Sequence, residues 1–247
     1  MLVAAFGVVC AVVMLVPRDS KRAKVGAPRA QALQVPIGVE LCRSPGFSIK
    51  RIAVGESATR MMKYGEKQFT VEAYDLLVVL ARTYRVYSAR LDLRADLPEG
   101  DYDMTIPVDS MSEAAGQAAL SMAMREAFGL KLYLRDQPTD VWLLTWSKPG
   151  VPAGLTPAAD TAKRHQSTTA KGYEFQASTI DELADFMEDH MDDRPVVNET
   201  HLPKKYDFSL PAHVLFDPAT LPEEVRNLGL EVLPGRRTTK MLVVERE

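Results

Sequence analysis

The hexapeptide YDMTIP at residues 102–107 recurs as YDFSLP at residues 206–211. In both copies apolar and polar side chains alternate, which predicts a half-buried strand. Tyr102 starts the apolar face of the first copy and Tyr206 that of the second. A proline ends each copy, and proline cannot donate to a strand ladder. The repeated strand is the first sign that the chain contains two similar halves.

Two further blocks recur in the same order, and recurrence at a fixed interval is typical of internal repeats. Residues 69–81 align without gaps with residues 175–187, at an offset of 106. Residues 128–144 align with residues 228–244, at an offset of 100. The three blocks together predict an internal duplication.

Each half is expected to contain two helices. Apolar residues recur at helical spacing from Ile180 to Met191, and a similar stripe covers residues 74–84. A second helix should follow each YD strand, and Gly129 and Gly229 are placed to end these helices in a left-handed conformation. The predicted capping pairs are Thr179 with Glu182, Ser110 with Glu113, and Thr220 with Glu223.

Two strands should close each half as a hairpin. The first hairpin is predicted at residues 131–134 with 141–146, and the second at residues 231–233 with 241–245. An extra strand is predicted at residues 47–52. The predicted fold class is therefore α+β, with an internal duplication into two β-α-β-α-β-β halves, each a small mixed sheet with two packed helices.

The composition is that of a folded soluble protein, with 46% hydrophobic and 26% charged residues in 247. This excludes a disordered chain, a collagen-like chain and a polytopic membrane protein. The net charge of −3 gives no general basic character, so no nucleic-acid partner is expected. Two cysteines, Cys10 and Cys42, exclude a disulfide framework and a cysteine-rich zinc module.

The N-terminal segment predicts attachment to a membrane or export. Residues 1–16 are an uncharged apolar run. The basic residues that follow it favour, by the positive-inside rule, a cytoplasmic C-terminal side. We expect an extracytoplasmic protein, anchored or exported at the periplasm or cell envelope; a cytoplasmic-facing anchor and a fragment of a longer membrane protein are the alternatives. The predicted segments are 1–16 (anchor or signal), 17–40 (basic linker), 41–148 (first repeat), 149–171 (flexible linker) and 172–247 (second repeat).

The stretch RPVVNETHLPKKYDF at residues 194–208 resembles the signature of a bacterial domain-of-unknown-function family that is rich in paralogues in soil bacteria. The resemblance covers about residues 46–247. Asn198 stands where the family prefers Asp, and His201 and Lys204 stand where it prefers glycine. The positions that carry the resemblance are Pro195, Val196, Val197, Thr200, Leu202, Tyr206, Asp207 and Phe208, with Gly129 and Gly229.

Each half also resembles, more distantly, the short N-terminal domain of secretins and TonB-dependent receptors. The shared element is a Gly-Leu pair followed by a hairpin that ends in an apolar strand. The resemblance implies a periplasmic docking module, and it implies no catalytic residue.

Motifs that announce catalysis are missing from the sequence, including the phosphate-binding GxxxxGK[ST], GxGxxG, GxSxG and HExxH. No cofactor is expected. The best metal candidates are His190, Asp192, Asp193 and His201, because histidine and carboxylate ligands suit zinc. A helix end followed by an ordinary loop explains the same four residues without a metal.

Carboxylates stand out in two further places. An acidic run from Asp181 to Asp193 is either a solvated helix face or a docking face for a basic partner. Asp103 and Asp207 recur in the two YD strands, where a strand-edge or turn hydrogen bond is favoured over a catalytic dyad.

These patterns predict a non-enzymatic module that binds an envelope protein or peptide, with strand addition to an exposed sheet edge as its recognition mode. Two alternatives stay open. One is a hydrolase or metal-dependent enzyme that uses the cleft between the halves or the loop with Asp192 and His201. The other is an extracytoplasmic sensor domain of a membrane signalling system.

Overall fold

The computed structural model describes residues 35–41, 46–53, 60–65, 67–110, 112–191 and 193–247. The described residues form a mixed α+β fold with four helices and three small sheets. The helices are α1 (Leu76–Tyr84), α2 (Glu113–Phe128), α3 (Ile180–Met191) and α4 (Leu221–Asn227). They lie in one compact unit, Ala32–Glu247.

The N-terminal sheet has the strand order β1-β5-β3-β2, and all its pairs are antiparallel. Its strands are β1 (Ser48–Ile52), β2 (Met61–Tyr64), β3 (Gln68–Asp75) and β5 (Asp101–Pro107). The predicted alternation in β5 is confirmed, because Tyr102, Met104 and Ile106 are buried. The extra strand predicted at residues 47–52 is confirmed as β1.

The C-terminal sheet has the strand order β7-β11-β9-β8, again antiparallel throughout. Its strands are β7 (Thr156–Pro157), β8 (His165–Thr169), β9 (Gly172–Ser178) and β11 (Tyr206–Pro211). In β11 the apolar face is buried as predicted, at Tyr206, Phe208 and Leu210. Residues 149–171, expected to be a flexible linker, contain β7 and β8.

The central sheet corrects the prediction of two local hairpins. Residues 131–134 and 141–146 belong to one long strand, β6 (Leu130–Thr145), apart from Trp146, which lies just past its end. Residues 231–233 and 241–245 likewise belong to β12 (Glu231–Arg246). The two long strands pair antiparallel with each other along their whole length. Each predicted half therefore supplies one strand of a shared ribbon, and the element order is not β-α-β-α-β-β.

Two short strands extend the ribbon, and each pairs with the long strand of the other half. β4 (Leu91–Leu93) runs parallel to β12, and β10 (Val196–Glu199) runs parallel to β6. The ribbon thus joins two apolar clusters, one around α1 and α2 and one around α3 and α4.

The helix ends test the capping predictions. The capping box is confirmed at α3, because Thr179 N donates to Glu182 Oε2 (2.9 Å) and Glu182 N donates to Thr179 Oγ1 (3.2 Å). At α2 the cap is Ser112 and not Ser110, since Ala115 N donates to Ser112 Oγ. At α4 the predicted cap is wrong: the Thr220 hydroxyl donates to the carbonyl of Asp217 and accepts no helix N–H.

Glycines Gly129 and Gly229 have the predicted positive φ, 63° and 95°. The described residues include no helix long and apolar enough to cross a membrane. Residues 1–16, for which an anchor was predicted, and both cysteines lie outside the described residues.

Candidate functional site

An open cleft of about 640 Å³ lies on the C-terminal sheet. Its lining comes from β9 at residues 174–177, from β11 at residues 207–209, and from the surrounding chain. The strands contribute polar side chains on the side away from the apolar core: Glu174, Gln176, Asp207 and Ser209. The surrounding chain contributes Gly154, Thr156, Ala162, Lys163 and Leu228.

Asp207 is held in the cleft by a strand irregularity. Ala177 adopts the left-handed conformation (φ 47°) where β9 bulges against β11, and its N–H donates to Asp207 Oδ1 at 2.7 Å. The carboxylate therefore satisfies an N–H that the bulge takes out of the ladder. Asp207 thus forms a hydrogen bond at an irregularity between two strands, which is a structural role of the kind favoured for it over a catalytic dyad.

The backbone N–H and C=O of Ser209 face the β7 side of β11, where no strand of the described residues pairs with them. Ala158 N donates to the carbonyl of Lys205 (2.9 Å), so this carbonyl points towards β7. The N–H and C=O groups of successive residues point to opposite sides of a strand. Those of Asp207 and Ser209 therefore point towards β7, as the carbonyl of Lys205 does. Within the described part of the chain, β7 pairs only with Tyr206 and Asp207. The cleft thus borders a short open strand edge.

The N-terminal sheet carries a smaller cleft at the corresponding place. It measures about 270 Å³ and is lined by residues 70–72 of β3, residues 103–105 of β5, and Ser48. Ala73 is again left-handed (φ 55°), and its N–H donates to Asp103 Oδ1 at 3.0 Å. Here the edge is filled, because β1 pairs with β5 from Asp101 to Thr105.

A partly buried ion pair joins the 3-10 turn before β4 to helix α3. Arg90 Nε and Nη2 donate to the two carboxylate oxygens of Glu188, at 2.5 and 2.8 Å. Glu188 is only 1% exposed and also accepts from the backbone N–H of Val196 (2.8 Å). One carboxylate therefore connects the 3-10 turn Ser88–Arg90, helix α3 and strand β10.

The acidic face of α3 raises pKa values around this pair. Burial, followed by the charges of Asp185, Asp189 and Glu188, raises the pKa of Tyr87 to about 12. Burial and the Glu188 charge also raise the pKa of Asp185. The predicted solvated face is thus incomplete, because Glu188 points inward and is paired.

His190, a candidate metal ligand, uses both ring nitrogens within the protein. Nδ1 donates to the carbonyl of Phe186 (2.8 Å), and Nε2 lies 3.1 Å from the hydroxyl of Tyr173. The ring also stacks on Phe186, with centroids 3.9 Å apart. Binding of a metal at either nitrogen would require breaking one of these contacts.

The other metal candidates have different surroundings. Asp193 accepts from the indole N–H of Trp142 (3.0 Å), and His201 is an exposed residue with a φ of 56°. Asp192 lies outside the described residues. Among the described residues, no group of three or more His, Cys, Asp or Glu side chains could hold a metal ion.

Several residues that carried the sequence resemblance lie in β10 and in the turn after it. Pro195 and Val196 lie buried at the start of β10, with Val197 half-buried beside them, and the hydroxyl of Thr200 donates to Asn198 Oδ1 at 2.7 Å. Leu202 N in turn donates to the Thr200 hydroxyl. Asn198 Nδ2 donates to Asp181, which joins this turn to the start of α3.

Sequence reasoning missed Ser209 and the Arg90–Glu188 pair. The alternation of β11 predicts an exposed Ser209, but only the pairing of neighbouring strands reveals its open edge. Glu188 follows the buried Met187 on α3, so helical spacing left its direction open. No pattern in the sequence connects it to Arg90.

Comparison with known proteins gives one match. The family model described as "Protein of unknown function (DUF3738)" matches residues 78–246, from within α1 to the last residue of β12. Neither the curated proteins nor the solved structures include a match to the chain.

Proposed function

The chain belongs to the DUF3738 family of proteins of unknown function, and we propose from the geometry of its cleft that it is a non-enzymatic polypeptide-docking module. The C-terminal sheet takes an extended segment of a partner by strand addition. The partner continues the line of β7 and pairs with β11 beyond Asp207.

One observation carries this proposal: the backbone N–H and C=O of Ser209, which have no strand partner among the described residues, border the cleft on the C-terminal sheet. Strand edges with free N–H and C=O groups are templates for pairing with another chain. The cleft is open to solvent, with polar side chains spread over two strands. An extended polypeptide fits such a surface, whose backbone groups supply affinity and whose side chains supply selectivity.

We also propose that the chain arose by internal duplication. Support comes from the two outer sheets, whose strands occur in the corresponding orders β1-β5-β3-β2 and β7-β11-β9-β8. Contacts recur at an interval of 104 residues, as in the bonds from Ala73 to Asp103 and from Ala177 to Asp207. This interval, and not 106, aligns the strands that precede α1 and α3.

The recurrence extends beyond the aspartates. Val108 N donates to the carbonyl of Lys67, and Ala212 N donates to that of Lys171, again 104 residues apart. The central ribbon fits an exchange of strands between two halves, since Pro138 of β6 pairs with Thr238 of β12 at its midpoint. On this proposal β1 and β7 are equivalent strands, and β7 has become short.

The cell envelope is the proposed location. This rests on the apolar run at residues 1–16. The distant likeness of each half to the short N-terminal domain of secretins and TonB-dependent receptors belongs to the same proposal.

Selection from a random-peptide phage library tests docking on the full chain. Recovered peptides are then measured against Ser209→Pro, which removes the N–H at the open edge, and Ser209→Ala, which keeps it. We expect binding to be lost with proline and retained with alanine. Peptides that bind both variants equally, or a library that yields no binder, would contradict the proposal.

A further inference from the structure

The C-terminal cleft has an excess of negative charge. Among its lining residues Glu174 and Asp207 are carboxylates, and Lys163 is the cation. No ion pair within the described residues involves any of these three side chains. The charges of the two carboxylates are therefore not balanced by an ion pair within the described residues, although Asp207 Oδ1 accepts the N–H of Ala177.

The register of the sheet shows where a bound side chain would lie. Ser209 of β11 lies directly opposite Glu174 of β9, so their side chains are neighbours on the outer face of the sheet, in one row perpendicular to the strands. A bound strand on the other side of Ser209 would extend this row. Its outward residue would be diagonal to Asp207, within reach of a lysine or arginine side chain.

In the N-terminal sheet, the strand at the corresponding edge carries a basic residue on its outer face. Lys50 of β1 is exposed and lies directly opposite Asp103, the aspartate that holds the Ala73 N–H. Its neighbour Ile49 points inward, opposite Met104, and is fully buried. Lys50 thus accompanies the aspartate of the filled edge, at the place that Thr156 of β7 holds opposite Asp207.

We infer that the segment taken by the C-terminal sheet is basic: an extended polypeptide with lysine or arginine on its outward face. This inference rests on the proposed function and adds the chemistry of the partner. Attraction between unlike charges at a partly exposed surface is modest for each pair, so the effect should appear as selectivity between partners.

Three labelled peptides test the inference by fluorescence anisotropy with the full chain. In each, valine alternates with a variable residue, which is lysine, threonine or glutamate. We expect the lysine peptide to bind tightest and the glutamate peptide weakest. Higher salt should weaken the binding of the lysine peptide and leave the affinity of the threonine peptide nearly unchanged.

Charge variants of the cleft supply the matched controls. Asp207→Asn keeps the acceptor for the Ala177 N–H. It should weaken the binding of the lysine peptide about 2- to 5-fold, with little effect on the binding of the threonine peptide. Lys163→Gln should strengthen the lysine peptide by a similar factor. Asp96→Asn removes a charge from an exposed loop outside the cleft lining and should change neither.

The outcomes separate the two proposals. If all three peptides bind equally and Ser209→Pro abolishes their binding, docking stands and the inferred basic partner is wrong. Tightest binding of the glutamate peptide would also overturn the basic partner and leave docking in place. If none of the peptides binds, both proposals fail.

Discussion

The carboxylate of Asp207 accepts the backbone N–H of Ala177 at 2.7 Å, and Ala177 is a left-handed residue at a strand bulge. The same bond joins Asp103 to the left-handed Ala73 at 3.0 Å. In each outer sheet the aspartate therefore stabilises a conformation that non-glycine residues seldom adopt. Each of the two clefts includes one of these aspartates.

The acceptor role of Asp207 predicts a difference between two substitutions. Asp207→Ala leaves the Ala177 N–H without its partner and should lower the free energy of unfolding by about 1–2 kcal/mol. Asp207→Asn keeps an acceptor oxygen, so its loss of unfolding free energy should be clearly smaller. Urea unfolding followed by tryptophan fluorescence measures both, with the exposed Asp96→Ala as control. Equal losses for alanine and asparagine would show that the bond is not the source of stability.

The pair of Arg90 and Glu188 predicts a large loss when one partner is removed. Arg90→Ala leaves the Glu188 carboxylate buried without its cation, which should cost about 3 kcal/mol of unfolding free energy. The double variant Arg90→Met, Glu188→Leu should recover part of that loss, because neither charge is left unpaired.

The control for this pair is Arg94→Ala. Arg94 forms an exposed pair with Asp92, so its removal should cost less than about 1 kcal/mol. Similar losses for Arg90→Ala and Arg94→Ala would contradict the role assigned to Glu188.

The raised pKa of Tyr87 predicts a loss of stability at high pH. Below pH 10 the phenol is protonated in both the folded and the unfolded chain. Between about pH 10 and 12 the unfolded chain releases this proton and the folded chain keeps it, so the free energy of unfolding falls as pH rises. Tyr87→Phe should remove that part of the pH dependence, measured by urea unfolding from pH 8 to 12.

The acidic neighbours of Tyr87 provide a second check. Asp185→Asn removes one charge that opposes the phenolate, so the pKa of Tyr87 should fall. Spectrophotometric titration of tyrosinate, taken as the difference from Tyr87→Phe, reports this pKa. A value unchanged by Asp185→Asn would contradict the electrostatic contribution.

A matched pair of prolines tests the two strand edges. Thr105 pairs with Ser48 of β1, so Thr105→Pro should cost about 2–3 kcal/mol by removing a ladder donor and leaving an acceptor unpaired. On the corresponding side of Ser209 no strand of the described residues pairs with it, and Ser209→Pro should change stability by less than about 1 kcal/mol. Thermal and urea unfolding compare the two. Equal losses would mean that the edge at Ser209 is already paired.

Local patterns predicted local structure well. The YD strands, the Thr179–Glu182 capping box and the left-handed Gly129 and Gly229 were all predicted because each depends on residues close in sequence. The α+β class followed from the same patterns.

The pairing of β6 with β12 could not be predicted from local patterns. The middle of β6 is polar and contains Pro138, which favoured a turn between two short strands. In the folded chain this polar segment is simply exposed and pairs with the equally polar middle of β12. Strand alternation indicates which face is buried and gives no information about which strand is the partner.

The site depends on such pairing, which is why it was only partly predicted. The sequence drew attention to Asp207 because it recurs, and strand addition was expected without a particular edge. The open edge at Ser209 exists because β7 has two residues where β1 has five. Neither length was predicted, since β7 lies in a stretch rich in proline, alanine and threonine.

The most direct test of docking at this edge is amide hydrogen exchange at Ser209, with Thr105 as internal reference. In the free chain the Ser209 N–H should exchange quickly, while the Thr105 N–H, which faces β1, should be protected. Addition of the lysine–valine peptide at saturating concentration should protect Ser209 and leave Thr105 unchanged. If Ser209 is already protected in the free chain, or still exchanges quickly with the peptide bound, strand addition at the C-terminal sheet is contradicted.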